Sequence, residues 1–318
     1  MGKIEIDHTG ANAGITLSSD GTDLLLDGTA IGGGGAALEL YAENPAATAV
    51  APVATGQNSV AIGDGATSSG AAAFGIGLGA SASGSFSVAI GRLASATTSY
   101  GVALGYNSDA DGSSSNSIGL NTTASSSYST SLGASSAGSG ATTATGSGAM
   151  ALGGSYASGT DSFAAAIANN TSTYGATGAN SIAMGESAKA TGDRAVAIGD
   201  RSISTGIVST ALAPRAEASG TGAVALGYNS LASGDYSAAI GLFGQSLQYG
   251  KVVTAGGGFA ARGDAQSGLF VLRRETTNSV AGFVMTTTNS TAGTTNQIIL
   301  PNNSAFAFSG TIVARQQA

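Results

Sequence analysis

The sequence lacks the side chains from which most catalytic and metal centres are built. It contains no cysteine, no tryptophan and a single histidine, His8. Without cysteine there is no disulfide framework and no thiolate metal ligand, and a histidine-rich zinc site cannot form either. His8 lies in the N-terminal segment, outside every motif, where a solvated polar residue is the simpler interpretation. We therefore expect no enzyme, no cofactor and no metal site.

Charge and long apolar runs are also scarce. Charged residues make up 9% of the 318 residues, and the net charge of −7 disfavours a nucleic-acid partner or an anionic membrane surface. No apolar run approaches the roughly 18 residues of a membrane-spanning helix, so we expect no membrane insertion. The opening residues 1–7 lack the apolar core of a signal peptide.

Glycine, by contrast, is abundant, with 51 residues, and alanine, serine and threonine supply most of the remainder. The mean hydropathy is slightly positive, at +0.21. Disordered chains usually combine high charge with low hydropathy. This composition therefore favours an ordered repeat.

A short apolar motif, Ser59-Val60-Ala61-Ile62-Gly63, recurs along the chain, and we call the closing residue of each copy the anchor. Most anchors follow the previous one by fourteen positions, but the steps to the seventh, eighth and ninth are twenty, fifteen and seventeen positions. The thirteen anchors are Gly63, Gly77, Gly91, Gly105, Gly119, Gly133, Gly153, Ala168, Gly185, Gly199, Ala213, Gly227 and Gly241. A constant period of this kind indicates a solenoid of stacked coils.

Each copy carries branched apolar residues at two positions that are two apart, so both lie on one face of a strand. The other face carries small residues. A second glycine follows most anchors after half a period, as at Gly70 and Gly84, and predicts a turn that uses the conformational freedom of glycine. One copy is therefore interpreted as one 14-residue coil of a two-sided all-β solenoid. Its coils stack by backbone hydrogen bonds at about 4.8 Å.

Small inward residues leave no room for aromatic or arginine side chains such as Phe86, Tyr100 and Arg194, which lie five positions before an anchor. We therefore expect the apolar stripe to point outward, where a homotrimer would cover it. The opposite packing, with valine and isoleucine inside, remains the alternative. The candidate trimer-interface residues are Val60, Ile62, Val88, Ile90, Val102, Leu104, Ile118, Leu132, Val196, Ile198, Val224, Leu226 and Ile240.

Three parts of the chain resemble known families. The repeated motif, with Asn58 before the first copy and Asn180 before Ser181-Ile182-Ala183-Met184-Gly185, resembles the head repeat of YadA-like trimeric autotransporter adhesins over about residues 56–243. The resemblance implies trimers of left-handed parallel β-rolls. Residues 296–310 are similar to segments near the C-termini of phage fibre proteins, and residues 15–26 resemble phage virion proteins more weakly.

These patterns predict three regions: a β-rich attachment or capping segment over 1–55, the β-roll over 56–243, and a C-terminal antiparallel β-domain over 244–318. Within the last region, alternating runs predict strands at 268–273, 280–285 and 305–314. The C-terminus follows the last strand directly, and we expect it to be a truncation or a processing site.

The functional expectation is a structural and adhesive fibre of a phage virion, most simply a tail fibre. Other virion proteins would hold one end, and a host-surface receptor, glycan or protein, would bind the roll. A bacterial surface adhesin head is the alternative. A capsid-attached fibre and a glycan-degrading spike using Glu217, Asp235 or Asp264 remain open.

The remaining candidates are tyrosines, insertions and turn carboxylates. Tyrosine suits both sugar stacking and protein contacts, or would cover clefts between subunits. The candidate receptor-contact residues are Tyr100, Tyr128, Tyr156, Tyr174 and Tyr236. Extra residues between the irregular anchors predict loops pushed out of the solenoid. Asp193, Asp200 and Asp235 are interpreted as solvated turn residues.

Overall fold

The computed structural model describes strands within residues 4–31 and then residues 50–134, 141–165, 173–275, 284–298 and 305–313. It separates the chain into two units, residues 1–49 and residues 50–318. No described residue is helical, so the described residues contain no helix that could cross a membrane.

The first unit contains an antiparallel four-stranded meander. The strands are β1 (Ile4–Ile6), β2 (Ile15–Ser19), β3 (Leu24–Leu26) and β4 (Thr29–Ile31), and they lie side by side in chain order. Ser19 pairs with Leu24 where β2 leads into β3. Residues 32–49 lie outside the described residues.

The second unit is dominated by two parallel sheets, which alternate along the chain so that one long and one short strand complete a coil. The short strands are β5 (Val53–Ala54), β7 (Thr67–Ser68), β9 (Ser81–Ala82), β11 (Ser95–Ala96), β13 (Asp109–Ala110), β15 (Thr122–Ala124), β17 (Thr142–Ala144), β19 (Tyr156–Ala157), β21 (Gly175–Ala176), β23 (Lys189–Ala190), β25 (Ile203–Ser204), β27 (Glu217–Ala218), β29 (Leu231–Ala232) and β31 (Gln245–Ser246).

The long strands form the other sheet and carry the repeated motif. They are β6 (Val60–Ile62), β8 (Phe74–Ile76), β10 (Val88–Ile90), β12 (Val102–Leu104), β14 (Asn116–Leu120), β16 (Thr130–Ala134), β18 (Met150–Leu152), β20 (Phe163–Ala165), β22 (Ile182–Met184), β24 (Val196–Ile198), β26 (Thr210–Leu212), β28 (Val224–Leu226), β30 (Ala238–Leu242) and β32 (Val252–Gly256). In the regular coils each residue pairs with its equivalent in the next coil, as Val88 does with Val102. The predicted all-β solenoid with 14-residue coils is therefore confirmed.

The interior of the roll is filled by small side chains. Ala89, Ala96 and Ala103 are typical members, each fully buried between the two sheets. In most long strands apolar residues flank one small inward residue and point outward, as Val88 and Ile90 do on either side of Ala89, so the alternative packing is wrong. A buried alanine adds only about 0.8 kcal/mol, because it buries a single methyl group. Backbone hydrogen bonds between coils must therefore supply much of the cohesion.

The anchor residues have the positive φ expected where glycine is preferred, but the register changes the position of one anchor and the lengths of two steps. Gly105 has a φ of 130°, and Ala213 adopts 125° at the same position although it is not glycine. The anchor predicted at Ala168 lies outside the described residues, but the register of the described strand β20 does not fit it. Phe163 pairs with Met150 and Ile182, which lie three positions before the anchors Gly153 and Gly185, so the same spacing gives position 166 rather than 168. The irregular steps are therefore twenty, thirteen and nineteen positions rather than twenty, fifteen and seventeen.

Both insertions occupy the same kind of connection, from a long strand to the following short strand. One lies between β16 and β17 and the other between β20 and β21. The coil between them is shortened at Gly153 and Gly154, which both have positive φ. Most of the extra residues, at 135–140 and 166–172, lie outside the described residues, so the predicted loops stay a prediction.

The second glycine of each coil has a different role from the predicted one. Gly84 does not have a positive φ; instead, a Cβ built on it would overlap the carbonyl of Thr98 in the next coil. Because Gly84 has no side chain, its coil can stack closely on the next one. The left-handed conformation falls two residues later, on Phe86, with a φ of 58°.

The stack of coils continues beyond the predicted boundary at 243. Strand β32 pairs in parallel with β30, and β33 (Gln266–Leu269) then returns antiparallel to β32. Of the other predicted C-terminal runs, most of 280–285 lies outside the described residues, and residues 305–313 form no strand. Thr286, directly after the first of these runs, forms an isolated bridge with Arg273. An extended segment becomes a strand only when another edge pairs with it.

Candidate functional site

The long-strand sheet presents one outer face, which we call the long-strand face. All thirteen candidate trimer-interface residues lie on it, in two columns set by the parallel register. Val88, Val102 and the other valines form one column, and Ile90, Leu104 and the remaining candidates form the second. Ile90 is 41% exposed and Leu132 is 45% exposed, so a single chain leaves this face open to solvent.

Sequence reasoning missed further members of the same columns. They could have been found by reading the positions one and three before each anchor, whatever the residue type. These members are Phe74, Ile76, Met150, Leu152, Phe163, Ile182, Met184 and Leu212.

The short-strand sheet presents the second outer face, which we call the short-strand face. Its outward residues are mixed and mostly polar, for example Ser81, Ser95, Asp109, Lys189 and Glu217. Burial, followed by the neighbouring carboxylate of Asp111, raises the pKa of Asp109. This face needs no partner to keep it from water.

The two faces meet at an edge formed by the turn from each short strand to the next long strand. One residue in each of these turns has a left-handed backbone, and its N–H bonds to a carbonyl of the preceding coil, as Tyr100 does with Ser85. We call these residues the left-handed column. They are Asn58, Ala72, Phe86, Tyr100, Ser114, Tyr128, Gly148, Asp161, Asn180, Arg194, Val208, Gly222, Tyr236 and Gly250.

Aromatic residues in this column are strained. In a fully extended strand, residues five positions before an anchor would share a face with valine and isoleucine. The positive φ instead turns these aromatic side chains outward at the edge. A left-handed conformation costs an L-residue with a Cβ about 1–2 kcal/mol, and asparagine or glycine tolerates it best. Asn58 and Asn180 show the local preference, whereas Phe86, Tyr100 and Tyr128 depart from it.

The five candidate receptor-contact tyrosines do not share one surface. Tyr100, Tyr128 and Tyr236 lie in the left-handed column. Tyr156 lies on the short-strand face, where it pairs with Thr143, and Tyr174 packs against buried alanines. The structure therefore brings together only Tyr100 and Tyr128, because Tyr236 lies seven coils further along the column, where its ring meets that of Tyr249 edge-on.

Acidic turn residues have structural roles that the sequence did not reveal. Asp193 accepts a hydrogen bond from the backbone N–H of Ala179, and Asp235 accepts one from Thr221 at 2.8 Å. Each donor lies one full coil earlier, so these carboxylates tie adjacent coils together. Both residues are exposed, as predicted, and each also holds this contact with the preceding coil. Asp200 lies 3.9 Å from exposed Arg201.

The C-terminal end of the roll is held by side chains from the loop before β33. The Arg262 guanidinium donates to Glu217 Oε2 at 3.1 Å and to Asn229 Oδ1 at 2.6 Å. The side-chain oxygen of Gln266 accepts a hydrogen bond from the backbone N–H of Gln245, and its side-chain nitrogen donates one to the Gln245 carbonyl. These are the two bonds that a neighbouring strand would form. Both sheets are therefore capped at this end, one by β33 and the other by a side-chain amide.

Asp264 organises the same loop. Its carboxylate accepts hydrogen bonds from the N–H groups of Phe259, Ala260 and Ala261. The bonds from Ala260 and then Ala261 lower the pKa of Asp264. Glu217, Asp235 and Asp264, the acidic residues considered for glycan cleavage, are thus engaged in separate structural contacts. Among the described residues, no three of histidine, aspartate and glutamate cluster as metal ligands would.

A parallel roll with an alanine interior and one apolar outer face is the architecture of an adhesin-type solenoid. Comparison with protein families agrees: the model of the YadA head domain repeat matches residues 54–80, 69–94, 82–108, 176–202 and 218–243. The chain therefore carries YadA head domain repeats, on both sides of its irregular section. A search of curated proteins found no match.

Proposed function

We propose that the protein is a homotrimeric, non-enzymatic fibre. Three rolls would pack their long-strand faces together and present the remaining surface to a receptor, glycan or protein, on a host cell. The observation that carries this proposal is the long-strand face itself, whose two apolar columns extend from Val60 to Ile240.

The size of this face supports association. Its coils span on the order of 60 Å, and each long strand is about 10 Å long. The resulting patch is on the order of 600 Å², at the upper limit of what a soluble monomer exposes. A stack that is almost uniformly apolar along its length favours a partner of equal length, and a second copy of the roll meets that requirement.

Cyclic symmetry about the long axis fits the columns. Equivalent coils would then lie at the same height, and each apolar column would contact the same columns of the other chains. The number three follows the trimeric heads of the adhesins that the repeat resembles. The polar short-strand face would remain in water.

We place the fibre on a phage virion, as a tail fibre or similar appendage held at one end by other virion proteins. The similarity of residues 296–310 to phage fibre segments supports this placement. The YadA head repeats favour a second candidate, the head of a bacterial surface adhesin. Immunogold labelling of phage particles and of bacterial cells separates the two.

Light scattering on the purified full chain tests the assembly. A trimer has a mass of about 91 kDa, three times the chain mass of 30.2 kDa. A stable species with the mass of one chain at micromolar concentration would overturn the proposal. An assay for cleavage of capsular polysaccharide tests the absence of enzymatic activity, and turnover by the wild type would reject it.

A further inference from the structure

The left-handed column holds three exposed aromatic rings within four consecutive coils. Phe86 is 55% exposed, Tyr100 is 57% exposed and Tyr128 is 70% exposed. The rings of Phe86 and Tyr100 stack with their centroids 5.2 Å apart and their planes within 6°. The three rings therefore form an exposed aromatic group along one edge of the roll.

The local backbone does not explain these residues. Asparagine suits a left-handed turn, and the same column uses it at Asn58 and Asn180. Aromatic side chains are retained at Phe86, Tyr100 and Tyr128 against that preference. Strained residues on an exposed turn, which the fold does not require, indicate a role in binding.

Contact with another subunit is a poorer explanation than contact with a ligand. The columns of the long-strand face keep bulky apolar residues in most coils, as an extended interface requires. The left-handed column instead places Ala72, Ser114 and Gly148 beside the aromatic residues. The small side chain of Ser114 leaves space between the rings of Tyr100 and Tyr128. On the other side of Tyr128, the Asp161 carboxylate lies where a side chain on Gly148 would be.

The chemistry around the rings is hydroxylated and nearly uncharged. Serine precedes each position, at Ser85, Ser99, Ser113 and Ser127. In these four turns Asp111 is the only charged residue, and it accepts a hydrogen bond from Thr97 Oγ1 at 2.8 Å. Flat apolar rings among hydroxyl groups suit the faces and hydroxyls of neutral sugars better than they suit anionic ligands.

We propose that Phe86, Tyr100 and Tyr128 form a binding edge for a neutral glycan chain. This proposal deepens, and rests on, the receptor-binding function proposed above. The glycan would run along the axis of the roll, with sugar rings stacked beside the aromatic rings and with serine hydroxyls as hydrogen-bond partners.

The test replaces the rings with the residue that the turn prefers. Full-length Phe86→Asn, Tyr100→Asn and Tyr128→Asn variants, and the triple variant, are compared with wild type on an array of neutral, sialylated and sulfated oligosaccharides. Neutral compounds that bind are then titrated by calorimetry. Tyr236→Asn is the matched control, because it shares the left-handed backbone but its ring covers Gly222 and meets Tyr249 edge-on.

We expect wild type to bind neutral oligosaccharides and each of the Tyr100 and Tyr128 variants to bind at least tenfold more weakly. The Tm should stay equal or rise, the mass should remain that of the assembly, and Tyr236→Asn should bind as wild type. Absence of neutral-glycan binding by wild type, or unchanged binding by the triple variant, overturns the binding edge while leaving the trimer intact. Loss of the assembled mass in the triple variant also overturns it, because the rings would then be subunit contacts. A monomeric wild type instead rejects the proposed fibre.

Discussion

The long-strand face and the short-strand face belong to the same coils but differ in what they show to water. Val88 and Ile90 point outward from one strand of a coil, and Ser95 points outward from the other. Inward, both strands present alanine, at Ala89 and Ala96. The two sheets therefore have the same kind of inward residue, and they differ only in their outward residues.

This contrast separates folding from association. The small inward residues and the backbone hydrogen bonds between coils are common to both sheets, so they account for the roll. The branched apolar residues of the long-strand face add little to a single chain, since they remain partly exposed. The proposed trimer would explain their regular recurrence through contacts between chains.

The largest expected effect comes from disrupting the small-residue interior, which both sheets share. Ala103→Leu adds three carbons to an interior with no room, and we expect it to lower the free energy of unfolding by at least about 3 kcal/mol or to prevent folding. Val102→Leu, one residue away but outward, is the control, and it should keep the monomer fold within about 1 kcal/mol. Circular dichroism during thermal unfolding measures both. Equal stability of the two variants would contradict an alanine-only interior.

The next effect distinguishes the faces directly. Ile90→Asp places a charge in the long-strand face and forfeits about 2 kcal/mol of apolar burial per chain, or about 6 kcal/mol per trimer. Sedimentation should show dissociation into folded or partly folded single chains. Ser95→Asp makes the same charge change on the short-strand face of the same coil and should leave the mass unchanged. Dissociation by Ser95→Asp alone would assign the interface to the other face.

A smaller change sharpens the role of the anchor. Ala213 adopts a φ of 125°, a region that favours glycine, so Ala213→Gly should stabilise the roll by about 1 kcal/mol. Ala211→Gly, two residues earlier on the inward side of β26, should destabilise it by about 1–2 kcal/mol. Chemical denaturation of both variants measures the two signs. A destabilising Ala213→Gly would show that the anchor alanine is not strained.

The smallest effect concerns the end of the roll rather than its faces. Hydrogen bonds from Ala260 and Ala261 lower the pKa of Asp264 below its usual 3.8. The contribution of this carboxylate is therefore fully present above about pH 4 and is lost as the pH falls through its lowered pKa. The protection of the Ala260 and Ala261 amide protons, measured as the exchange rate relative to the intrinsic rate at the same pH, should fall there, while protection within β10 and β12 stays high. Asp264→Ala should show low protection of these amides at every pH.

Much of the fold was predictable because the same short motif recurs at a fixed spacing in the sequence. The spacing of Val60, Ile62 and Gly63 and its constant recurrence predicted the coil, the strands and the thirteen interface candidates. The irregular section was harder. With two insertions and a shortened turn in succession, residue spacing alone placed an anchor at Ala168, whereas the sheet register placed it at residue 166.

The sequence by itself determined the roll, because a side chain that alternates in and out of a narrow coil must be small on one side. The tertiary structure alone decided what the turns do. It showed that Gly84 provides space for the next coil, that Phe86 and Tyr100 carry the left-handed backbone, and that Asp193 and Asp235 bind the preceding coil. These properties depend on contacts between residues one coil apart, which a residue's own neighbours in the chain do not specify.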